Sequence, residues 1–216
     1  MVGRFDLFYS LEHEKQKHII DAAMSEFGEK GFRHASTNAI VEKAGISKGM
    51  LFYYFGSKEE LFDFIFDYTF EFWKGEYLQA FSESVCKQGD FLGRFKQLSD
   101  LKRRLITDSP RIVKFLEQIY APEPEEQFLK HLEKAKELRE QTRKYIYDNI
   151  DYSLFRDDVD PHKTVIYIKW LMESYEADLT AKFKTGGISM ETYDLDKAWE
   201  QYEDFAADLR KIFYKN

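Results

Sequence analysis

Apolar residues recur along this chain mostly at spacings of three and four, and few residues interrupt the pattern. This spacing places apolar side chains on one face of an α-helix, whereas a half-buried strand would place them at alternate positions. Only 4 prolines and 11 glycines occur among the 216 residues. The pattern therefore predicts an all-α fold of about nine helices.

Local start and stop signals place these helices. Gly31 closes the first helix, with residues 1–10 either extending it or lying loose. Ser57 and Glu60 form a capping box, while Ser109 and Asp160, each followed by a proline, open two further helices. The predicted helices span, approximately, residues 11–30, 37–44, 48–54, 57–81, 91–105, 110–120, 128–146, 161–183 and 199–213.

Composition limits where the protein acts. The N-terminal sequence lacks the features of a secretory signal, and every apolar run is too short for a membrane span. We therefore expect a cytoplasmic protein that makes no membrane contact. Cys86 is the single cysteine, so an internal disulfide and a cysteine-rich zinc site are both excluded.

The charge distribution is uneven. The net charge is −7, but residues 30–58 contain five cations and one acid, a local charge of +4, so the rest of the chain carries −11. A basic segment in an acidic protein indicates a local contact with nucleic acid. The acid is Glu42, and the cations are Lys30, Arg33, Lys43, Lys48 and Lys58.

The same segment has the pattern of a helix-turn-helix. Two short helices are joined by a turn containing Gly45, which can adopt a positive φ at little cost. Six apolar residues form a wedge that would fix the angle between the helices: Ile40, Val41, Ala44, Ile46, Leu51 and Phe55. The remaining positions are mainly polar and face outward in this arrangement.

Residues 15–62 resemble the DNA-binding region of the TetR family of bacterial transcriptional regulators, and beyond them the resemblance is only architectural. The resemblance rests on glycine-phenylalanine at Gly31, a threonine-led short helix, AGISKG, an aromatic run and GSKEELF. It implies a DNA-binding domain over residues 1–57 and a ligand-binding and dimerisation domain over residues 58–216. The predicted eighth and ninth helices would form the interface of a homodimer.

The resemblance also implies roles for individual residues. Thr37 would bind a phosphate, Lys48 would reach base edges at the start of the recognition helix, and Lys58 would bind a phosphate. Phe52 departs from the usual tyrosine, and Val41 from a frequent alanine. The predicted DNA-binding residues are Ser36, Thr37, Asn38, Ser47, Lys48, Gly49, Met50, Tyr53, Tyr54 and Lys58.

A pocket for a small hydrophobic or aromatic molecule is the second implied site, because such pockets are mainly apolar. Aromatic residues form 17% of the chain. Each candidate could equally belong to the core. The candidates are Tyr68, Phe95, Leu98, Phe115, Ile119, Phe128, Tyr145, Trp170 and Tyr175.

These observations favour a ligand-responsive regulator, a repressor released from palindromic double-stranded operator DNA by a small-molecule effector, without a cofactor. The alternative is a helical scaffold that binds protein partners. A di-iron enzyme would need glutamate three residues before its histidine ligands, and none of the five histidines has one. A glycine-rich phosphate loop and a nucleophile elbow are also missing from the sequence, so we expect no enzyme.

Overall fold

The computed structural model describes residues 5–72, 74–75, 90–118, 125–184 and 194–215. Within these ranges the regular elements are helical, which confirms the all-α fold; an isolated antiparallel bridge joins Phe155 and Tyr214. A 3₁₀ helix covers Tyr152–Leu154. The α-helices are α1 (Asp6–Tyr9), α2 (His13–His34), α3 (Thr37–Ala44), α4 (Lys48–Phe55), α5 (Lys58–Phe72), α6 (Phe91–Asp108), α7 (Pro110–Glu117), α8 (Glu126–Leu129), α9 (Leu132–Tyr147), α10 (Pro161–Lys184) and α11 (Leu195–Phe213).

The chain divides into two compact units. The first comprises Met1–Gly75 and Leu105–Ala135, and the second comprises Glu76–Arg104 and Lys136–Asn216. The first unit thus contains the predicted helix-turn-helix together with α5, α7 and α8. Within the described ranges, no helix is both long and apolar enough to cross a membrane.

Aromatic side chains dominate the core of the first unit. The ring of Phe62 on α5 lies 5.1 Å from Phe27, 5.5 Å from Phe115 and 4.8 Å from Phe128, measured between centroids. These contacts join α2, α5, α7 and α8 around one buried cluster. Burial of large rings of this kind is the main favourable contribution to stability.

Gly28 allows α2 and α7 to approach closely. A Cβ atom at this position would lie 3.1 Å from the backbone nitrogen of Phe115. The side-chain amide of Gln118 also donates to the Gly28 carbonyl at 2.7 Å. Helix α7 is therefore fixed directly to the helix that precedes the helix-turn-helix.

Buried Arg94 organises part of the second unit. Its guanidinium donates to the carbonyl oxygens of Tyr145, Ile146 and Asn149 at 3.3, 3.0 and 2.9 Å, at the C-terminal end of α9. These carbonyls have no partner within a helix that ends there, so a cation is favourable at this end. The surrounding core includes Phe91, Leu92, Phe155, Ile168, Met172, Leu209 and Tyr214.

The predicted limits of a helix are confirmed where a residue next to the first turn caps it. They are wrong where contacts with distant residues set the limits. Helix α3 has the predicted limits, and α4 ends one residue later than expected. The first helix is interrupted at Gly31, as predicted, because the φ of this glycine is +70°; a further helical turn follows the kink and ends at His34. The expected end of the fourth helix at residue 81 lies outside the described residues, as does Cys86.

The predicted seventh helix, residues 128–146, is wrong as one element, because α8 and α9 are separate. Between them lies His131, which is 8% exposed and stacks on Phe66 with ring centroids 4.2 Å apart. Its Nε2 lies 2.8 Å from a carboxylate oxygen of Asp63 on α5. The chain turns here to bring this imidazole against α5, which a continuous helix pattern does not reveal.

Candidate DNA-binding site

Each short helix of the helix-turn-helix begins at a serine cap. The hydroxyl of Ser36 accepts from the amide of Ala39 at 3.4 Å, and that of Ser47 accepts from Met50 at 3.2 Å. Such caps provide a partner for amides that the first turn leaves unpaired. Both serines were predicted as DNA contacts, and the structure gives them this additional local role.

The turn between α3 and α4 depends on Gly45. Its φ of +66° and ψ of +32° lie in the left-handed region, where a side chain is unfavourable. The amide of Ile46 then donates to the carbonyl of Val41 at 3.1 Å and closes the turn. The predicted turn geometry is confirmed.

The predicted apolar wedge is also confirmed. Ile40 and Ala44 on α3, and Leu51 and Phe55 on α4, are at most 6% exposed, while Val41 and Ile46 are half-buried. The wedge fixes the angle between the two helices, so the outer face of α4 is presented as a rigid surface.

Glu26, which the sequence did not indicate, holds the helix-turn-helix in place. This carboxylate, 1% exposed, accepts from Lys30 Nζ at 2.8 Å and from the backbone amide of Ser36 at 3.0 Å, and it lies 3.8 Å from Lys43 Nζ. Burial alone would raise the pKa of Glu26, but these donors outweigh burial and hold the pKa below its usual value. The residue stays ionised and ties α2 to the start of α3.

Glu26 also changes the interpretation of the basic segment. Two of its five cations, Lys30 and Lys43, are paired with a carboxylate that lies outside residues 30–58. Counting this carboxylate lowers the local charge from +4 to +3. A count restricted to sequence neighbours therefore overestimates the positive charge available to DNA.

Five of the ten predicted DNA contacts are exposed on the surface of the helix-turn-helix. Lys48, Gly49 and Ser47 at the start of α4 are exposed, and so is Asn38; Tyr53 is 67% exposed. Ser36, Thr37 and Met50 are half-buried. A Cβ atom at Gly49 would approach only Ser47 Oγ, at 3.9 Å, so packing does not require glycine there.

Lys58 lies at the first position of α5 and reaches back towards the helix-turn-helix. Its Nζ donates to the carbonyl of Arg33 at 3.2 Å and lies 4.8 Å from the centroid of Phe32. The side chain of Lys58 is thus held in place at the C-terminal end of α2, which directly precedes α3. Preorganisation of this kind lowers the entropy lost when a phosphate binds.

Tyr54 is placed differently from its neighbour Tyr53. Its side chain is 9% exposed, with ring centroids 6.3 Å from Phe8 and 6.3 Å from Phe55. Helix α1, which the sequence analysis did not predict, supplies Phe8 to this contact. A phosphate contact by Tyr54 stays a prediction, and it would be limited to the small part of the side chain that is accessible.

The predicted ligand-lining residues are divided between the two units. In the first unit, Phe115 and Phe128 are fully buried in the Phe62 cluster and Tyr68 is 38% exposed. In the second unit, Phe95, Leu98 and Tyr145 pack against the core, Tyr175 stacks on Phe205 at 5.0 Å, and Trp170 is 60% exposed. Ile119 lies outside the described residues, and the role of this set stays a prediction.

Comparison with known proteins bears directly on the helix-turn-helix. Residues 19–65 match the family model described as bacterial regulatory proteins of the tetR family. The HTH-type transcriptional regulator RutR of Escherichia coli K12 is 34% identical over 97 residues, which are 45% of this chain and 43% of RutR. The chain carries a TetR-family DNA-binding region.

The likeness to solved TetR-family structures extends over nearly the whole chain but concerns the fold alone. The ketosteroid transcriptional regulator KstR2 of Mycobacterium tuberculosis has a TM-score of 0.56 at 17% identity, covering 96% of this chain and 98% of that chain. A TetR-like regulator from Rhodococcus sp. RHA1 has a TM-score of 0.53 at 17% identity, covering 94% and 97%. By sequence, the chain spans less than half the length of the RutR relative that it matches.

One departure from the TetR-family pattern can be located in the structure. Phe52, which replaces a frequent tyrosine, is half-buried on α4, and Lys48 Nζ lies 6.0 Å from its ring centroid. The phenylalanine cannot donate a hydrogen bond to a phosphate. The tyrosines of this helix that retain that capacity are Tyr53, which is 67% exposed, and Tyr54, which is 9% exposed.

Proposed function

We propose that this protein is a ligand-responsive transcriptional regulator that binds palindromic operator DNA as a homodimer in the cytoplasm. The observation that carries the proposal is the exposed N-terminal end of α4, with Lys48 and Gly49, on a capped and internally wedged helix-turn-helix. In this proposal the protein is a repressor, not an enzyme, and a small hydrophobic or aromatic molecule releases it from DNA.

Two kinds of DNA contact fit the surface. The N-terminal ends of α3 and α4 carry amides that can bind phosphate, and Thr37 and Lys58 add side-chain donors beside the start of α3. Lys48 at the start of α4 would enter the major groove and donate to a guanine edge. The first kind positions the protein on any DNA, whereas the second discriminates between sequences.

Gly49 contributes by having no side chain. The structure has room for a Cβ atom at this position, so the fold does not require glycine. An exposed glycine beside Lys48 would let the DNA backbone or a base edge approach α4 closely. Gly49→Ala should therefore alter the DNA-facing surface while leaving the packing of α4 unchanged.

Selection of binding sites from a random pool of double-stranded DNA tests the proposal. We expect the full chain to enrich a palindrome whose half-sites are centred about 10 base pairs apart or a multiple of it, since two recognition helices enter successive major grooves. Gly49→Ala should keep the thermal stability or raise it, by roughly 1 kcal/mol or less, because alanine favours a helix more than glycine. The same variant should bind the enriched site more weakly.

Two outcomes would contradict the proposal. A chain that enriches no sequence, and binds all DNA equally at physiological salt, is not a sequence-specific regulator. A chain that binds no DNA at all, but captures a defined protein, would favour the scaffold alternative. Loss of folding in Gly49→Ala is a separate result, which circular dichroism detects.

A further inference from the structure

A groove lies between α1 and the C-terminal half of α5 in the first unit. It has a volume of about 270 Å³ and is lined by Tyr9, Asp67, Tyr68, Glu71 and Phe72. Three of these residues are aromatic and two are acidic. Of the predicted ligand-lining residues only Tyr68 is among them, so the groove differs from the pocket that the sequence suggested.

The aromatic side of the groove is held by buried neighbours. Phe64, which is 4% exposed, lies 6.0 Å from the ring of Tyr9 and 6.5 Å from that of Tyr68, between centroids. The backbone at Tyr9 is also fixed, because Gln16 Nε2 donates to its carbonyl at 3.1 Å. The rings therefore form a wall before any molecule binds.

The acidic side of the groove consists of two exposed carboxylates one helical turn apart on α5. Lys134 donates to Oδ1 of Asp67, and Lys74 lies 3.9 Å from Oε1 of Glu71. Both lysines are on flexible side chains that are more than two-fifths exposed. A cation entering the groove can therefore share or replace these partners at small cost, since exposed ion pairs are weak.

The two tyrosines remain neutral next to the carboxylates. Burial raises the pKa of Tyr9, and the neighbouring Tyr68 raises it further. Burial and Asp21 likewise raise the pKa of Tyr68. Neutral phenol rings offer an electron-rich face, which attracts a cation and does not attract an anion.

We propose that this groove binds a small organic ammonium ion with an apolar ring or short chain, its charge beside Asp67 and Glu71 and its apolar part against Tyr9, Tyr68 and Phe72. Aromatic faces and carboxylates together are the groups that recognise such cations. Neither group favours a carboxylate or phosphate ligand. The binding does not depend on DNA, so it stands or falls separately from the proposed regulatory function.

Three probes of similar size separate charge from hydrophobic contact: 2-phenylethylammonium, 2-phenylethanol and phenylacetate. Each is titrated into the full-length ¹⁵N-labelled protein without DNA, and backbone amide shifts are followed. We expect 2-phenylethylammonium to give saturable shifts at Tyr9 and at residues 67–72. The alcohol should bind more weakly, by roughly two- to fivefold for the loss of its charge contacts, and phenylacetate should not bind.

Matched variants test which groups recognise the cation. Glu71→Gln should weaken binding of 2-phenylethylammonium by roughly two- to fivefold, whereas Glu200→Gln, the same change at an exposed position of α11, should leave it unchanged. Tyr9→Phe should retain binding because the ring is kept, and Tyr9→Ala should weaken it. Equal binding of the ammonium and the alcohol, equal effects of the two glutamine variants, or shifts confined to other residues would each overturn the proposal.

Discussion

Glu26 joins α2 to the helix-turn-helix through a charge that is almost completely buried. Its carboxylate accepts from both Lys30 and the Ser36 amide. A glutamine has nearly the same shape and its Oε1 can still accept from both donors, but it has no negative charge to pair with Lys30 and Lys43, and hydrogen bonds between charged groups contribute more than neutral ones. We expect Glu26→Gln to lower the free energy of unfolding by about 1 to 2 kcal/mol, which corresponds to a melting temperature lower by roughly 2–8 °C.

Calorimetry or thermal circular dichroism measures this effect. Glu29→Gln makes the same chemical change on the exposed side of the same helix and should stay within about 0.5 kcal/mol of the wild type. The lowered pKa of Glu26 gives the pH dependence. Because the folded pKa lies below the unfolded one, the stabilisation is present above the unfolded pKa and is lost as pH falls through the folded pKa. Equal melting temperatures of the two variants at neutral pH would refute the role of Glu26.

Lys48 and Lys58 allow phosphate binding and base recognition to be separated. Lys58→Ala should weaken binding to every DNA similarly and reduce the slope of log K against log salt by about 2, since each of two copies releases roughly 0.9 counterion. Lys48→Ala should instead narrow the affinity ratio between operator and random DNA. Fluorescence anisotropy over a salt series measures both quantities. An unchanged ratio for Lys48→Ala would make Lys48 another phosphate contact.

At the scale of elements, α1 packs against α4, the proposed recognition helix, and against α5. Phe8 is fully buried, with its ring 5.0 Å from both Phe55 on α4 and Phe64 on α5. Phe8→Ala leaves a cavity between these helices and should cost about 3–5 kcal/mol. Leu7 lies next to it and is 42% exposed, so Leu7→Ala should cost less than about 0.5 kcal/mol.

Hydrogen exchange locates the effect of Phe8→Ala. Amides of α4 should lose protection more than those of α2, because the cavity borders α4 and α5. The affinity for operator DNA should fall together with the hydrogen-exchange protection of α4, because a more mobile helix loses more entropy when it binds. An even loss of protection across the first unit would mean that α1 stabilises the unit as a whole and does not position α4.

The elements that the sequence predicts best are those whose limits are set within a few residues. Helices α3 and α4 begin at serines that cap their own first turns and are joined at Gly45, whose positive φ is a local property. The split between α8 and α9 could not be predicted in this way. It accompanies the burial of His131 against Asp63, which lies on a helix distant in sequence.

In the candidate site too, the exposure of a residue could be predicted from the sequence only where it depends on nearby residues. Lys48 and Tyr53 are exposed, as the outer face of a short helix predicts. Tyr54 is buried because Phe8 of an unpredicted helix covers it, and two cations are paired because Glu26 lies outside the basic segment. Residue type and spacing predict which face of a helix is exposed. They do not predict which residues from distant parts of the chain pack against that helix.

For the whole molecule, the apolar surface of α10 determines the expected assembly. Ile166, Tyr167, Trp170 and Leu171 occupy one stripe of this helix and are 40–60% exposed. Tyr175 on α10 and Phe205 on α11, the two helices expected to form the dimer interface, stack on each other within the chain. Large apolar groups left exposed on a helix are typical of a contact with another molecule, and a twofold dimer pairs one patch with its own copy.

Trp170→Glu should therefore disrupt the dimer, because it removes a large ring and places two charges near each other in the interface. We expect the dissociation constant of the dimer to rise roughly tenfold or more, as for central tryptophans of interfaces. Leu129→Glu, at a 43% exposed leucine of the first unit, is the control and should not change it. Sedimentation at micromolar concentration gives the mass, and a wild-type species of 25.8 kDa alone would contradict the dimer.

The proposed release of DNA by an effector would involve the complete dimer, and α5 suggests a mechanism for it. This helix carries Lys58 at the end near the helix-turn-helix and Tyr68 further along. Two recognition helices must enter major grooves about 34 to 36 Å apart, so a small tilt of α5 in each protomer would misalign both. Packed helices change between discrete arrangements more readily than they bend.

Thermodynamic coupling gives this mechanism a strict test. An effector that favours the misaligned arrangement must bind less tightly when operator DNA is bound, with a coupling free energy of about 1 to 3 kcal/mol in each direction. Tyr68→Ala should reduce the release of DNA by the effector while changing operator affinity in its absence by less than twofold. Titrating an effector identified from the native host, with and without operator, measures both. If operator DNA leaves the affinity for that effector unchanged, the two sites are not linked and the molecule is not the releasing ligand.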